Sequence, residues 1–136
     1  MIFDFSITYK AHPKNGEVRM THDEVVGLFD TWNAALATLD PDSVTALYAD
    51  DAVLLPTVSN QVRHNHEEIR NYFVSFLQKK PQGVIDESNV LVLSETHATN
   101  SGVYTFTFGD GSSVTARFSY LYAVSYTHLT LPTNSG

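Results

Sequence analysis

The chain has 136 residues, of which 43% are apolar and 12% aromatic, and its formal net charge is −7. This length and composition predict one globular domain with a real core and exclude a disordered chain. The acidic balance argues against nucleic acid as a partner, and the absence of Cys excludes disulfides and thiolate chemistry.

The sequence pattern predicts neither a membrane span nor an export signal. No run of 18 apolar residues occurs, so we expect no membrane-spanning helix. The N-terminal stretch carries Asp4 and no basic segment before an apolar one, which is unlike a secretory signal. A cytoplasmic location without membrane association is therefore expected.

The first 20 residues are predicted to form a loose arm. They contain Pro13 and show no sustained apolar period. Either Met1 or Met20 could be the true start of the protein.

Three helices are predicted after the arm. Thr21 and Glu24 form a capping box before apolar residues that recur at helical spacing. Asp40 and Pro41 end this helix and start a short second one. Asn65 caps a third helix, which ends before a Pro-Gly stretch.

The second half of the chain reads as strands. A short strand at 52–57 is placed at an edge or a bulge by Pro56. Longer strands are predicted at 84–93, 102–108 and 113–122, with a Gly-Asp-Gly turn between the last two. Helices followed by an antiparallel meander predict an α+β fold, with helices packed on one face of a curved sheet.

Short blocks in a fixed order carry a family resemblance. They are TWN (31–33), DPD (40–42), LYADDAVLLPT (47–57), SN (59–60), YF (72–73), KPQG (80–83), YTF (104–106) and ARF (116–118). The chain resembles the bacterial SnoaL-like or SgcJ/EcaC-type proteins related to the calcium/calmodulin-dependent protein kinase II association domain. The match covers roughly residues 21–122.

The resemblance implies a cone-shaped nuclear transport factor 2-like fold over residues 21–123. It also implies a pocket at the open end of the cone and a homodimer formed through the sheet. Kinase activity is not implied, because the chain lacks the glycine-rich and catalytic-loop motifs of a kinase.

The end of the chain departs from the family pattern, which continues with a turn and a strand of the type Gly-x-Trp-x-Ile-x-x-His-His-Ser-Ser. Residues 124–133 can instead be back-translated into a transposon-end adapter used to prepare sequencing libraries. We therefore expect residues 124–136 to be an artefact tail and the native last strand to be missing. The alternative is a genuine, divergent last strand.

Arg117 is the first candidate for ligand binding. The alternation of the strand puts it opposite Ala116 and Phe118, on the more polar face, which by itself favours an exposed side chain. The resemblance favours the pocket instead, because the association domain keeps a pocket arginine at this place. The second pocket arginine of that pattern is Phe106 here, so anion binding carries over only in part.

Aromatic residues and one further arginine complete the predicted ligand pocket. Trp32, Tyr48, Tyr72 and Tyr104 could line it together with Arg63, although large aromatic residues also build ordinary cores. His64 and His66 have a spacing that could suit a metal, but no third ligand is evident, so we expect surface histidines and no metal.

No catalytic residue is predicted. Asp50 and Asp51 fit a turn, Asp86 and Glu87 are expected to face water, and the two best strands carry neither a carboxylate nor a His. No dinucleotide fingerprint or other cofactor motif is present.

The function predicted from the sequence is a small homo-oligomeric binding or assembly module with a pocket for a small acidic or aromatic ligand. The alternatives are a SnoaL-like or ketosteroid-isomerase-like enzyme and an SgcJ/EcaC-type oxidoreductase. Either enzyme would act on a small aromatic or polyketide-like substrate.

Overall fold

The computed structural model describes residues 2–10, 20–56 and 59–125, with side chains for 20–56 and 59–123. The helices are α1 (His22–Ala37), α2 (Pro41–Thr45) and α3 (His66–Phe76), and a 3-10 turn (Leu77–Lys79) follows α3. The strands are β1 (Ile2–Lys10), β2 (Gln82–Val92), β3 (His97–Thr107) and β4 (Ser113–Ser125). The predicted α+β class is confirmed.

The helices begin where their caps predict. The Thr21 side chain accepts from the Glu24 N–H at 3.1 Å, and the Glu24 carboxylate accepts from the Thr21 N–H at 3.0 Å. Asp40 caps α2, and Asn65 caps α3 through the Glu68 N–H at 2.9 Å. Each cap satisfies backbone donors that the first turn leaves without partners.

The sheet has the order β1-β4-β3-β2. Its last three strands form the predicted antiparallel meander, and β1 lies parallel to β4. A bulge interrupts the register of β2 between Ile85 and Glu87, and such a bulge bends a strand and increases its twist. Asn33 of α1 joins the helical layer to β2 by accepting from the Gly83 N–H at 2.9 Å.

Three stretches differ from their predictions. Ile2–Lys10 was expected in a loose arm, but it is a strand, consistent with the alternation of Phe3, Phe5, Ile7 and Tyr9 in its sequence. β3 begins at His97, ahead of the predicted 102, because polar residues hide its period of two. The stretch expected to form a short strand at 52–57 shows only isolated bridge pairing in its described part, including the bridge between Leu54 and Arg63.

The core lies between the helices and the sheet. α1 contributes Val25, Leu28, Phe29, Trp32 and Leu36, while α3 adds Ile69 and Phe73. The sheet contributes Ala98, Tyr104, Phe106, Ala116, Phe118, Tyr120 and Tyr122. No helix in the described part of the chain is long and apolar enough to cross a bilayer.

Candidate functional site

The two faces of the sheet differ in chemistry. On the inner face, which packs against the helices, Tyr104, Phe118, Tyr120 and Tyr122 are buried. On the outer face, side chains at the alternate positions remain exposed or half-buried. This division follows from the period of two, which sends successive residues of a strand to opposite faces.

Trp32 and Tyr48 meet inside the core. The indole Nε1–H of Trp32 donates to the Tyr48 hydroxyl at 3.1 Å, and both side chains are 2% exposed. Burial raises the pKa of Tyr48 well above its ordinary value. Tyr104 lies in the same core, where its ring is 6.3 Å from that of Phe29. The structure therefore brings these three predicted pocket residues into one aromatic cluster.

Asn100 and Tyr122 are inner-face residues that the sequence analysis missed. The Ser88 hydroxyl donates to Asn100 Oδ1 at 2.7 Å, while the Asn100 Nδ2 has no hydrogen-bond partner among the described residues. The Tyr122 hydroxyl, also buried, has none in that part of the chain either. Asn100 could have been predicted as an inner-face residue if the alternating pattern of the strand had been followed back from residue 102 to Ala98.

Few polar side chains are buried in the described part of the interior. Among the described residues, the buried polar side chains are Thr45 and Asn100, and no buried one is a carboxylate or an imidazole. Burial raises the pKa values of Tyr48, Tyr120 and Tyr122, so their phenols stay neutral at ordinary pH. Neutral phenols can donate hydrogen bonds, but they are not bases.

Arg117 lies on the outer face, opposite Trp32, Tyr48 and Tyr104. Its neighbours Ala116 and Phe118 occupy the inner positions of β4, so Arg117 is exposed. The surrounding shallow groove has a volume of about 330 Å³, and Glu87, Asn89, Ser101, Val103 and Ser119 help to line it. The structure does not bring Arg117 together with the aromatic pocket residues, and this agrees with the side-chain alternation in its strand.

Arg63 and Tyr72 lie together at a third place. The Arg63 guanidinium is 5.1 Å from the centre of the Tyr72 ring, and its Nη1 donates to the Ser59 hydroxyl at 2.7 Å. Burial raises the pKa of Tyr72 to about 12. This pair borders a groove that also contacts Phe76 and Lys79.

The two histidines after the Leu54–Arg63 bridge are engaged locally. The His66 Nε2 lies 2.8 Å from the Tyr48 carbonyl oxygen, which requires a proton on that nitrogen, and His64 Nδ1 lies 3.0 Å from the Glu68 carboxylate. No group of three or more His, Asp or Glu side chains that could hold a metal occurs among the described residues. Asp50 and Asp51 are exposed.

Comparison with known proteins identifies the relatives of the chain. The family model of the calcium/calmodulin dependent protein kinase II association domain matches residues 21–125. The chain is also similar to a crystal structure from Xanthomonas campestris that is named for the same association domain. That structure has 43% identity and a TM-score of 0.67, and the match covers 76% of this chain and 88% of the other. No curated protein matches the sequence.

More distant structures share the fold. The association domain of the C. elegans kinase has 16% identity and a TM-score of 0.54, covering 73% of this chain and 92% of the other. An NTF2-like protein of unknown function from Pseudomonas putida has 13% identity and a TM-score of 0.60, covering 80% and 90%. The fold is therefore nuclear transport factor 2-like, as the resemblance implied.

Proposed function

Because the chain belongs to the calcium/calmodulin dependent protein kinase II association domain family, we propose that it is a homo-oligomeric association module that dimerises through the outer face of its sheet. The observation that carries the proposal is the composition of that face. Leu91 is 59% exposed and Leu121 37%, and both flank Thr99 in one row across the strands. Exposed apolar side chains grouped in this way are typical of an interaction surface.

The middle of the outer face is self-complementary in charge. Glu87 and Arg117 both pair with Val103, one from each side, so they lie roughly 10 Å apart across β3. None of the ion pairs among the described residues includes Arg117. A two-fold axis in the interface plane, running along β3 over Val103, would place Arg117 of each protomer over Glu87 of the other.

Small residues around this charged row support close packing. Ser101 and Ser119 are neighbours across β3 and β4, and their hydroxyls lie 3.4 Å apart. Short side chains let two sheets approach to the distance of about 10 Å that is usual for face-to-face packing. An enzyme is the less favoured alternative, because the interior described above offers no buried acid or base.

Val103→Lys tests the proposal. Val103 is half-buried on the outer face and is not part of the core cluster, so a lysine there should leave the fold intact. Because the proposed two-fold axis runs over Val103, the substitution would place two lysines against each other in the interface. We expect sedimentation equilibrium to give a dimer for the natural chain and at least tenfold weaker association for the variant. Val74→Lys, at a 39% exposed position on α3, is the matched control and should remain dimeric. Equal association of Val103→Lys and the natural chain would contradict the proposal.

A further inference from the structure

We propose that the groove between α3 and the β3–β4 hairpin binds a small aromatic carboxylate. We call it the basic groove and define it by Arg63, Tyr72, Phe76, Lys79 and Phe108. It lies on the helical side of the molecule, away from Arg117 and the outer face, so this proposal does not depend on dimerisation.

The basic groove consists of two adjoining cavities. One of about 200 Å³ is lined by Pro56, Tyr72, Phe76 and Lys79, with two serines. The other, of about 600 Å³, is lined by Lys79, Lys80, Phe108 and the hairpin turn. Lys79 borders both cavities, and the larger one has the size that small-molecule sites usually have.

The groove carries positive charge in an acidic protein. The chain has a net charge of −7, yet the two lysines whose side chains are described, Lys79 and Lys80, both line the larger cavity, together with Asp110. Arg63 lies over the ring of Tyr72, which lines the smaller cavity. No carboxylate of a described residue lies within ion-pair distance of Arg63 or Lys79. An anionic ligand would therefore meet cations that the described part of the chain leaves without a direct ion pair.

Two carboxylates that interact electrostatically with these cations also accept hydrogen bonds from other residues. Asp110 accepts from the Ser112 N–H at 2.9 Å and from its hydroxyl at 2.6 Å, and these bonds are the main reason that the pKa of Asp110 is lowered. Glu68 accepts from the His64 N–H at 2.7 Å, and the bonds from His64 lower the pKa of Glu68 more than the charge of Arg63 does. Both carboxylates keep their negative charge, but neither lies within ion-pair distance of Arg63 or Lys79.

Arg63 is positioned to hold a carboxylate. Its Nη1 is fixed by the Ser59 hydroxyl at 2.7 Å and by the Gln61 carbonyl oxygen at 2.5 Å. Its Nε and Nη2 make no hydrogen bond within the described residues, so the remaining donors of a preoriented guanidinium are available. Arginine binds a carboxylate best in this way, through two donors held in one plane.

An aromatic wall beside the cations favours a flat ligand body. The rings of Tyr72 and Phe76 are stacked, 5.6 Å apart with an interplanar angle of 22°, and Phe108 meets Phe76 edge-on at 6.3 Å. The Lys79 ammonium lies 5.8 Å from the centre of the Phe108 ring. Because the pKa of Tyr72 is about 12, its phenol keeps its proton and can donate to an anion.

The test is a titration of the full chain with benzoate, followed by two-dimensional amide NMR. We expect saturable shifts at residues 72–79 and 108–112, much weaker ones with acetate, which lacks the ring, and none with benzylamine, which has the opposite charge. Arg63→Gln and Lys79→Gln should each raise the Kd for benzoate at least fivefold. Lys79 is exposed, so Lys79→Gln should fold normally. It therefore keeps the test valid even if Arg63→Gln disturbs the segment around Arg63.

Arg70→Gln is the matched control. Arg70 is also on α3, but its guanidinium is bound to the Asp42 carboxylate at 2.6 Å, so its replacement should leave the Kd unchanged. Three results would overturn the proposal: no saturable shift, shifts centred on Arg117, or an equal loss in Arg70→Gln. Sedimentation of the same variants reports dimerisation separately, so failure here would leave the association proposal standing.

Discussion

Gly102→Ala is expected to lower the free energy of unfolding by about 3 kcal/mol or more. Gly102 lies in β3 beside the bulge of β2, and a Cβ added to it would be 1.9 Å from the carbonyl oxygen of Glu87. That oxygen belongs to the backbone of a paired strand, so it cannot move aside without breaking the β2–β3 register. Urea unfolding followed by far-UV circular dichroism would measure the loss.

Gly27→Ala is the control for this prediction. Gly27 lies within α1, and a Cβ there would meet no atom within 4 Å. Alanine is the better helix former by about 1 kcal/mol, so this variant should be at least as stable as the natural chain. Equal midpoints for Gly102→Ala and the natural chain would show that β2 and β3 do not pair as described.

Trp32→Ala is expected to cost about 3 to 5 kcal/mol of stability, the usual range for truncating a large buried aromatic residue. Trp32 is 2% exposed, and its ring lies about 6 Å from those of Phe29, Phe106 and Tyr120. It also donates the hydrogen bond to Tyr48. Since the chain has one Trp, circular dichroism is the appropriate probe.

The same variant separates a core role from a pocket role for Trp32. A residue lining an open pocket can be truncated at small cost, because one side of it has no packed neighbours. Trp32→Phe should retain most of the ring contacts and lose clearly less stability than Trp32→Ala. A loss below about 1 kcal/mol for Trp32→Ala would contradict close packing around this side chain.

Much of the fold could be predicted because its signals are local. The capping box and apolar stripe of α1 and the Asn65 cap of α3 need information from only a few neighbouring residues, and the structure confirms them. The β3–β4 hairpin was likewise marked by its Gly-Asp-Gly turn. The pairing of Ile2–Lys10 with β4 could not be predicted, because it depends on partners more than 100 residues apart in the sequence.

The candidate site was harder to predict, because its residues lie on different faces of the sheet. Each of three residues is a plausible ligand contact by itself: Arg117, Trp32 and Tyr48. The register of β4 places Arg117 on the outer face of the sheet, whereas Trp32 and Tyr48 are buried on the inner side. Arg63 contacts Tyr72 of α3 and is held in place by its backbone bridge to Leu54. No distinctive sequence pattern predicts that bridge. Of the artefact tail expected at 124–136, residues 124 and 125 lie in β4, and the rest falls outside the described residues.

The charge swap across the outer face tests the central claim most directly. We would measure the dimer dissociation constant by sedimentation equilibrium for the natural chain, Arg117→Glu, Glu87→Arg and the double variant. Each single variant places like charges opposite each other, and close interfacial charge pairs contribute about 1.5 kcal/mol or more, so each should weaken the dimer at least tenfold. The double variant restores opposite charges and should regain most of the affinity. A natural chain that remains monomeric, or a double variant no tighter than either single one, would contradict association through this face.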